Sequence, residues 1–389
     1  MTASRDVALE WGGGTPLDLE LPHATVFDLR GPAGCRGSEA SRIVRSALAG
    51  PHGVPPLSSH VVPGDRVTIA VAGGLTEERS VVAAVIESLA GGGVAEQDIA
   101  VLRSHEFATA DDSRTGYLAA DAEANPIYLA RDIIDADCVV TIAEWNWDAS
   151  LAGRGIDGEI FPAFSRKSCR ESLVRRLLDG PHAELTAWRD SLGEVVDKLG
   201  LLASLRIIPG TNATVAGAVF GSPETSHHAA SDAAADWRPT VAAAVDCSIA
   251  SLHEPAGAPP DFEGLVRGVA AAARITAADG TICVASRLCT HPGPVFARWR
   301  QGLPLSPLVR EAVESDDPAL IADAFLARRF HRALGGRRLV LLSGLDEETV
   351  EDLAFGFADS PETIQRLAKR ARNVAVLHEA DRMLPAITP

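Results

Sequence analysis

Two residues in this chain stand where a protein places groups that move protons. His105 closes the run DIAVLRSHEF, and Asp148 follows CVVTIAEW. An imidazole titrates near neutral pH and can serve as a general base. A carboxyl group among apolar rings has its pKa raised by desolvation, the usual way of tuning it for proton transfer. Trp145 and Trp147, two of only six tryptophans, supply such rings beside Asp148. Arg154, in LAGRGIDGEIFP, is suited to hold a substrate carboxylate through a bidentate contact. Each of these has a plainer use: a satisfied structural histidine, an aspartate N-cap, a surface arginine, and indoles capping the core.

The remaining candidates are weaker. AGGLTEE resembles a phosphate loop only loosely, since it has neither GxGxxG nor Walker spacing. It reads as a turn whose Glu77 and Glu78 complement the positive end of a following helix. SRKSCR, with Arg166, Lys167 and Arg170, is a small basic patch that reads as a solvated face. His227 and His228 are neighbours on a helix and point apart, so they do not share a metal. Cys289 and His291 would give two ligands with no third or fourth nearby, and no metal site is expected.

These residues need strands to position them. RVTIAVA, DIAVLRSHE and CVVTIAEW read as buried strands, with ERSVVAAVIESLAGGG and YLARDIIDAD as helices between them. LDLELP and ATVFDLR are short strands of an N-terminal arm, and SEASRIVRSALAG is an amphipathic helix. LRIIPGTNATVAGAVFG reads as a hairpin about Gly210-Thr211-Asn212. A second alternating series runs from TVAAAVDCSI through GTICVASRL and RRLVLLSGL to NVAVLHEAD, and SIASLHEPAGAPPDFEG is its most linker-like stretch. Such alternation implies an α/β fold of two α/β lobes with mainly parallel sheets and an interlobe cleft. The lobes are expected at 1–239 and 240–389, with the tail after about residue 377 free to return to the first lobe.

Composition narrows the partners. At 389 residues and 46% apolar content the chain can bury a large core. A net charge of −16 argues against nucleic acid. No apolar run approaches a bilayer span, and the N-terminus has no apolar signal segment, so a soluble, cytoplasmic protein without a membrane partner is expected. Six scattered cysteines without CxxC imply free thiols.

The order of elements resembles the nickel-pincer lactate racemase family nearly end to end. The resemblance rests on IVRSALAGPHGVPPLSSHVVPGDRVTI, on ADCVVTIA followed by LAGRGIDGEIFP, and on GTICVASRLCTHPGPVFARW down to Phe296 and Trp299. It implies a lysine-anchored pyridinium–dithio nucleotide holding nickel, a histidine ligand, two catalytic histidines and an Asp-x-Thr-Arg phosphate motif. Here that motif falls on Gly74-Leu75-Thr76-Glu77, keeping only Thr76. The lysine position falls on Gly158 between Asp157 and Glu159, and the nickel ligand on Val174 to Arg176. The first base matches His105 and the second Asp148.

The expectation is therefore an acid/base isomerase of the racemase or epimerase type, acting on a small hydroxy or carboxylic acid without the nickel-pincer cofactor. Its catalytic residues are His105 and Asp148, and Trp145, Trp147, Arg154, Thr76 and His291 contact substrate. A non-catalytic ligand-binding relative and a racemase with a noncovalently held cofactor are the alternatives.

Overall fold

The computed structural model describes residues 6–12, 16–108, 112–120, 125–151, 153–154, 160–179, 195–201, 203–254 and 258–388. The strands begin with β1 (Asp6–Leu9), β2 (Leu17–Glu20), β3 (Thr25–Leu29), β4 (Val67–Ala72), β5 (Ile99–Arg103), β6 (Thr115–Ala120) and β7 (Pro126–Ala130). They continue with β8 (Cys138–Glu144), β9 (Trp147–Asp148), β10 (Gly153–Arg154), β11 (Ala203–Gly210), β12 (Thr214–Gly221) and β13 (Thr240–Val241). The last are β14 (Val245–Ser251), β15 (Thr276–Ala285), β16 (Arg338–Leu342), β17 (Gly356–Phe357), β18 (Asn373–Leu377) and β19 (Ala386–Ile387). No helix among the described residues is long and apolar enough to cross a membrane.

The chain divides into two compact units. One comprises residues 33–145 and 155–234 and is built on a sheet of order β12-β11-β8-β4-β5. All its pairings are parallel except β11 with β12, the hairpin about Thr211-Asn212. VTIAVA is buried along almost its whole length because it is covered on both faces. Ile69 and Val71 point to one side, into a core closed by Val44, Leu48, Val81, Val85 and Leu89 of helices Gly37–Ala49 and Glu78–Gly91. Ala70, one residue out of phase, faces Leu102, Leu129, Ile160 and Phe164 on the other. The chain passes from β4 to β5 at one edge and then crosses to β8 on the other side of β4. The sheet's switch point therefore lies between the carboxyl ends of β4 and β8, where ligands of open α/β sheets bind.

YLARDIIDAD is not the helix its apolar residues suggest. Tyr128, Leu129 and Ala130 belong to β7, paired antiparallel with β6, and only Arg131–Ile134 forms a helical turn. Alternation decides it: Ile127 and Leu129 are buried while Tyr128 meets the guanidinium of Arg166 at 3.5 Å from its ring centroid.

The other unit comprises residues 1–32, 146–154 and 235–389. Its six-stranded sheet, order β17-β16-β15-β14-β18-β3, is parallel throughout. This departs from a boundary at residue 239. The N-terminal arm belongs here because β3 completes the sheet beside β18, from Thr25↔Asn373 to Leu29↔Leu377. The tail also stays in this unit, since β19 pairs with β13. The stretch read as linker-like begins within β14 and ends in helix Phe262–Ala273, which Asp261 Oδ1 caps by accepting from the N–H of Gly264; residues 255–257 lie outside the described residues.

Deleting residues 1–32 should strip amide-exchange protection from amides that bond to β3, such as His378, and leave β4 and β8 protected. Retained protection of the His378 amide would contradict the pairing.

Candidate active site

Asp148 is the most constrained of the residues singled out from sequence. Its side chain is 2% exposed, and its Oδ2 lies 2.9 Å from Arg329 Nη2 and 3.4 Å from Arg267 Nε. Its Oδ1 accepts from the Ser150 N–H at 2.9 Å and the Ser150 hydroxyl at 2.5 Å. Ser150 Oγ in turn accepts from Arg329, and Glu263 holds both guanidiniums from the other side. Burial alone pushes the Asp148 carboxyl up, but Arg329, Arg267 and the two Ser150 bonds outweigh it, so its pKa lies below the ordinary value. This reverses the expectation that apolar rings raise it. A carboxylate held ionised by two arginines is a poor proton acceptor.

The two indoles are taken up separately. Trp145 is buried in the unit of residues 33–145, edge-on to His227 at 5.1 Å, with the Arg206 guanidinium 5.8 Å from its ring centroid. Trp147 is buried in the other unit, with Arg238 5.1 Å from its ring centroid. Arg154 pairs through its backbone with Trp147, and its side chain lies outside the described residues, as do Asp157, Gly158 and Glu159. His291 and Cys289 are exposed. His105 and Asp148 belong to different units.

What does converge is the switch point of the β4–β5–β8 sheet. Ala72 of β4 pairs with Ala143 of β8, and Val71 with Arg103 of β5, so the three strands end level. Glu144, the last residue of β8, is 7% exposed, and its Oε2 accepts from the N–H of Thr76 at 3.0 Å. Ser104, just after β5, accepts from the N–H of Gly73 at 2.9 Å. His105 follows on the short helix Ser104–Ala108 with its side chain 65% exposed, its Nε2 3.9 Å from Glu106. Arg103 is held by Glu78 at 2.5 Å and Glu106 at 3.5 Å. Glu144 ends β8 and His105 follows the end of β5, strands separated by β4 alone, with roughly 10 Å between their axes. Glu144 was not singled out from sequence, although an acid closing the buried run CVVTIA is a legible signal.

The Gly74-Leu75-Thr76-Glu77 loop does not suit a phosphate. Its Thr76 N–H is taken by Glu144, and Glu77 turns its own carboxylate to the Gly37 N–H and the Ser80 hydroxyl. Glu77 itself adopts a left-handed φ of 55° at the start of helix Glu78–Gly91. A carboxylate thus already occupies a backbone donor that a nucleotide phosphate would need. Val174, Arg175 and Arg176, on helix Lys167–Asp179, offer no imidazole. Among the described residues no group of three His, Cys, Asp or Glu could hold a metal. Arg166 and Arg170 of the basic patch are committed to Thr115 and to the Ser165 carbonyl.

No family model matches this chain, and no curated protein matches it in sequence. Its backbone is similar to that of the lactate racemase apoprotein from Thermoanaerobacterium thermosaccharolyticum, with a TM-score of 0.72 at 16% identity, over 98% of this chain and 99% of that one. The chain has a lactate-racemase-like fold. It is also similar to a protein from Thermotoga maritima, with a TM-score of 0.59 at 11% identity, over 90% and 98% of the two chains.

Asp148→Asn should lower stability by about 3–5 kcal/mol at neutral pH, toward the lower end because Glu263 still holds both arginines. Since the folded carboxyl pKa is depressed, this stabilisation is present above the unfolded value and is lost as pH falls through the folded one. Wild-type and variant denaturation midpoints should therefore converge in acid.

Proposed function

We propose that this protein is an acid/base enzyme of the racemase or epimerase type, acting on a small hydroxy or carboxylic acid at the carboxyl ends of β4, β5 and β8. The observation that carries this reading is the placement of His105 and the buried Glu144 either side of β4 at a switch point. His105 is the proton-transfer group, exposed enough to meet a substrate. Glu144 is its opposite partner, fixed by the Thr76 N–H, and it replaces Asp148 in that role. The lactate-racemase-like fold supports the reaction class by analogy alone.

The acids around Thr76 make the site hospitable to a monoanion at most. The same occupied donor supports chemistry that does not run through the nickel-pincer nucleotide. A carbon beside a carboxylate anion is a weak acid, so a substrate handled by side chains alone must carry its own electron sink. A hydroxy acid whose exchanging carbon also adjoins a carbonyl meets that need. The competing reading, a non-catalytic ligand-binding relative, gains from the withdrawal of Asp148 from proton chemistry.

Deuterium wash-in separates the two. In heavy water the protein should exchange the carbon of hydroxypyruvate that lies between its hydroxyl and carbonyl, faster than buffer does. D- and L-lactate, which lack the extra carbonyl, should exchange far less. His105→Ala and Glu144→Gln should each slow exchange by about 10²- to 10⁴-fold, while folded Asp148→Asn keeps the wild-type rate. Exchange no faster than buffer would count against acid/base catalysis by side chains alone, and catalysed exchange unaffected by His105→Ala would overturn the role given to His105.

A further inference from the structure

The unit containing residues 235–389 holds a cavity of about 300 Å³ at the amino ends of β14, β15 and β16. That is the small end of the range for ligand pockets. Cys247, Thr281 and Arg338 are level in register across the three strands, so their side chains share the face on which helix Pro361–Ala368 packs. Val340, Leu367 and Ala371 give the cavity an apolar wall. Arg370, just past the helix, brings a second guanidinium to it.

The sheet gives up regular pairing here. β14 and β15 are in register at Val245↔Thr276 and again at Cys247↔Thr281, so one residue, Asp246, stands opposite four, 277–280. A bulge of this kind disrupts the ladder and re-aims side chains. This one carries Asp279 to the cavity, and it ends in tight packing: a Cβ on Gly280 would lie 2.9 Å from the Asp246 carbonyl oxygen. The Asp246 carboxylate is fixed as well, because its Oδ2 accepts from the N–H groups of Arg372 at 2.9 Å and Asn373 at 3.1 Å. Arg338, Arg370 and Asp279, by contrast, make no ion pair and no side-chain hydrogen bond among the described residues. Two guanidiniums and two carboxylates thus line one small cavity, and three of the four are uncommitted.

We propose that this cavity binds an aliphatic amino acid as its zwitterion. The ligand's carboxylate takes the guanidiniums of Arg338 and Arg370, whose charge-assisted bonds are about twice as strong as neutral ones. The Thr281 hydroxyl is a further donor to it. The ligand's ammonium takes Asp279, and its side chain lies on Val340, Leu367 and Ala371. Charge selects the class. A ligand with ends of opposite sign adds no net charge to a lining of two guanidiniums and two carboxylates, whereas a lone carboxylate or a lone amine meets like charge as well as opposite. All four ionisable groups are exposed to solvent, so no single contact is strong and recognition needs both ends together. The site lies within the unit of residues 235–389, and its test does not depend on the His105–Glu144 edge.

L-leucine is the probe, titrated into the full chain while backbone amide signals are followed by NMR. The amides of Gly280, Thr281 and Ala371 should shift and saturate. L-leucinamide, which lacks the carboxylate, and 4-methylpentanoate, which lacks the ammonium, should each bind at least about threefold more weakly. Arg338→Gln and Arg370→Gln should each weaken leucine binding about three- to tenfold. Asp279→Asn should weaken leucine yet strengthen 4-methylpentanoate, because it removes an anion that repels the second ligand and holds the first; an aspartate with a merely structural role would not change their ratio. No saturable shift at these amides, leucinamide or 4-methylpentanoate binding as well as leucine, or an unchanged ratio in Asp279→Asn would each overturn the proposal. The substituted side chains are exposed, so the variants should fold. The comparison of the three ligands needs only the wild-type protein and decides the matter even where a variant does not.

Discussion

The ion cluster around Asp148 organises much of what this chain does. A nine-residue excursion, 146–154, leaves one unit and is counted with the other, and its anchor there is a carboxylate held between Arg329 and Arg267. Arg329 is buried and Arg267 half-buried, and a carboxylate buried as deeply as Asp148 cannot be left without such partners. The consequence is that the Asp148 carboxyl pKa lies below its ordinary value, which favours the ionised form. A site that keeps an acid/base pair must find its second member elsewhere, and Glu144, which ends the preceding strand, is where the geometry offers one.

Both sheets follow the same rule. A parallel strand order that reverses leaves a gap at the carboxyl ends of two adjacent strands, and each unit fills that gap with ionisable side chains. At β4 and β8 these are Glu144 and, one strand over, His105. At β14 and β18 they are His253, Glu379 and Arg382. The first group combines an anchored carboxylate with an exposed imidazole, which suits exchange with a substrate. The second is buried.

The fold class was legible because it depends on local pattern. VTIAVA, CVVTIAE and NVAVL are runs buried along most of their length, and ERSVVAAVIESLAG keeps its helical spacing between the first two. The unit boundaries were not legible, since the pairing of β3 with β18 spans nearly the whole chain and leaves no local trace. The YLA stretch misled because a short apolar run fits either period, and its hairpin partner decides. The place of His105 just after a strand was legible, since DIAVLR is a local pattern. The direction in which Asp148 is tuned was not legible because Arg329, 181 residues away in sequence, sets its environment. Nearby tryptophans could be read from the sequence and distant arginines could not.

The sharpest test of this account is a carbon-13 NMR titration of the Asp148 side-chain carboxyl. Asp148 should stay ionised to a pH below the ordinary carboxylate range, losing its charge only as the fold weakens in acid. A carboxyl that instead titrates above that range, toward neutrality, would restore Asp148 as a proton-transfer group and contradict the assignment of that role to Glu144.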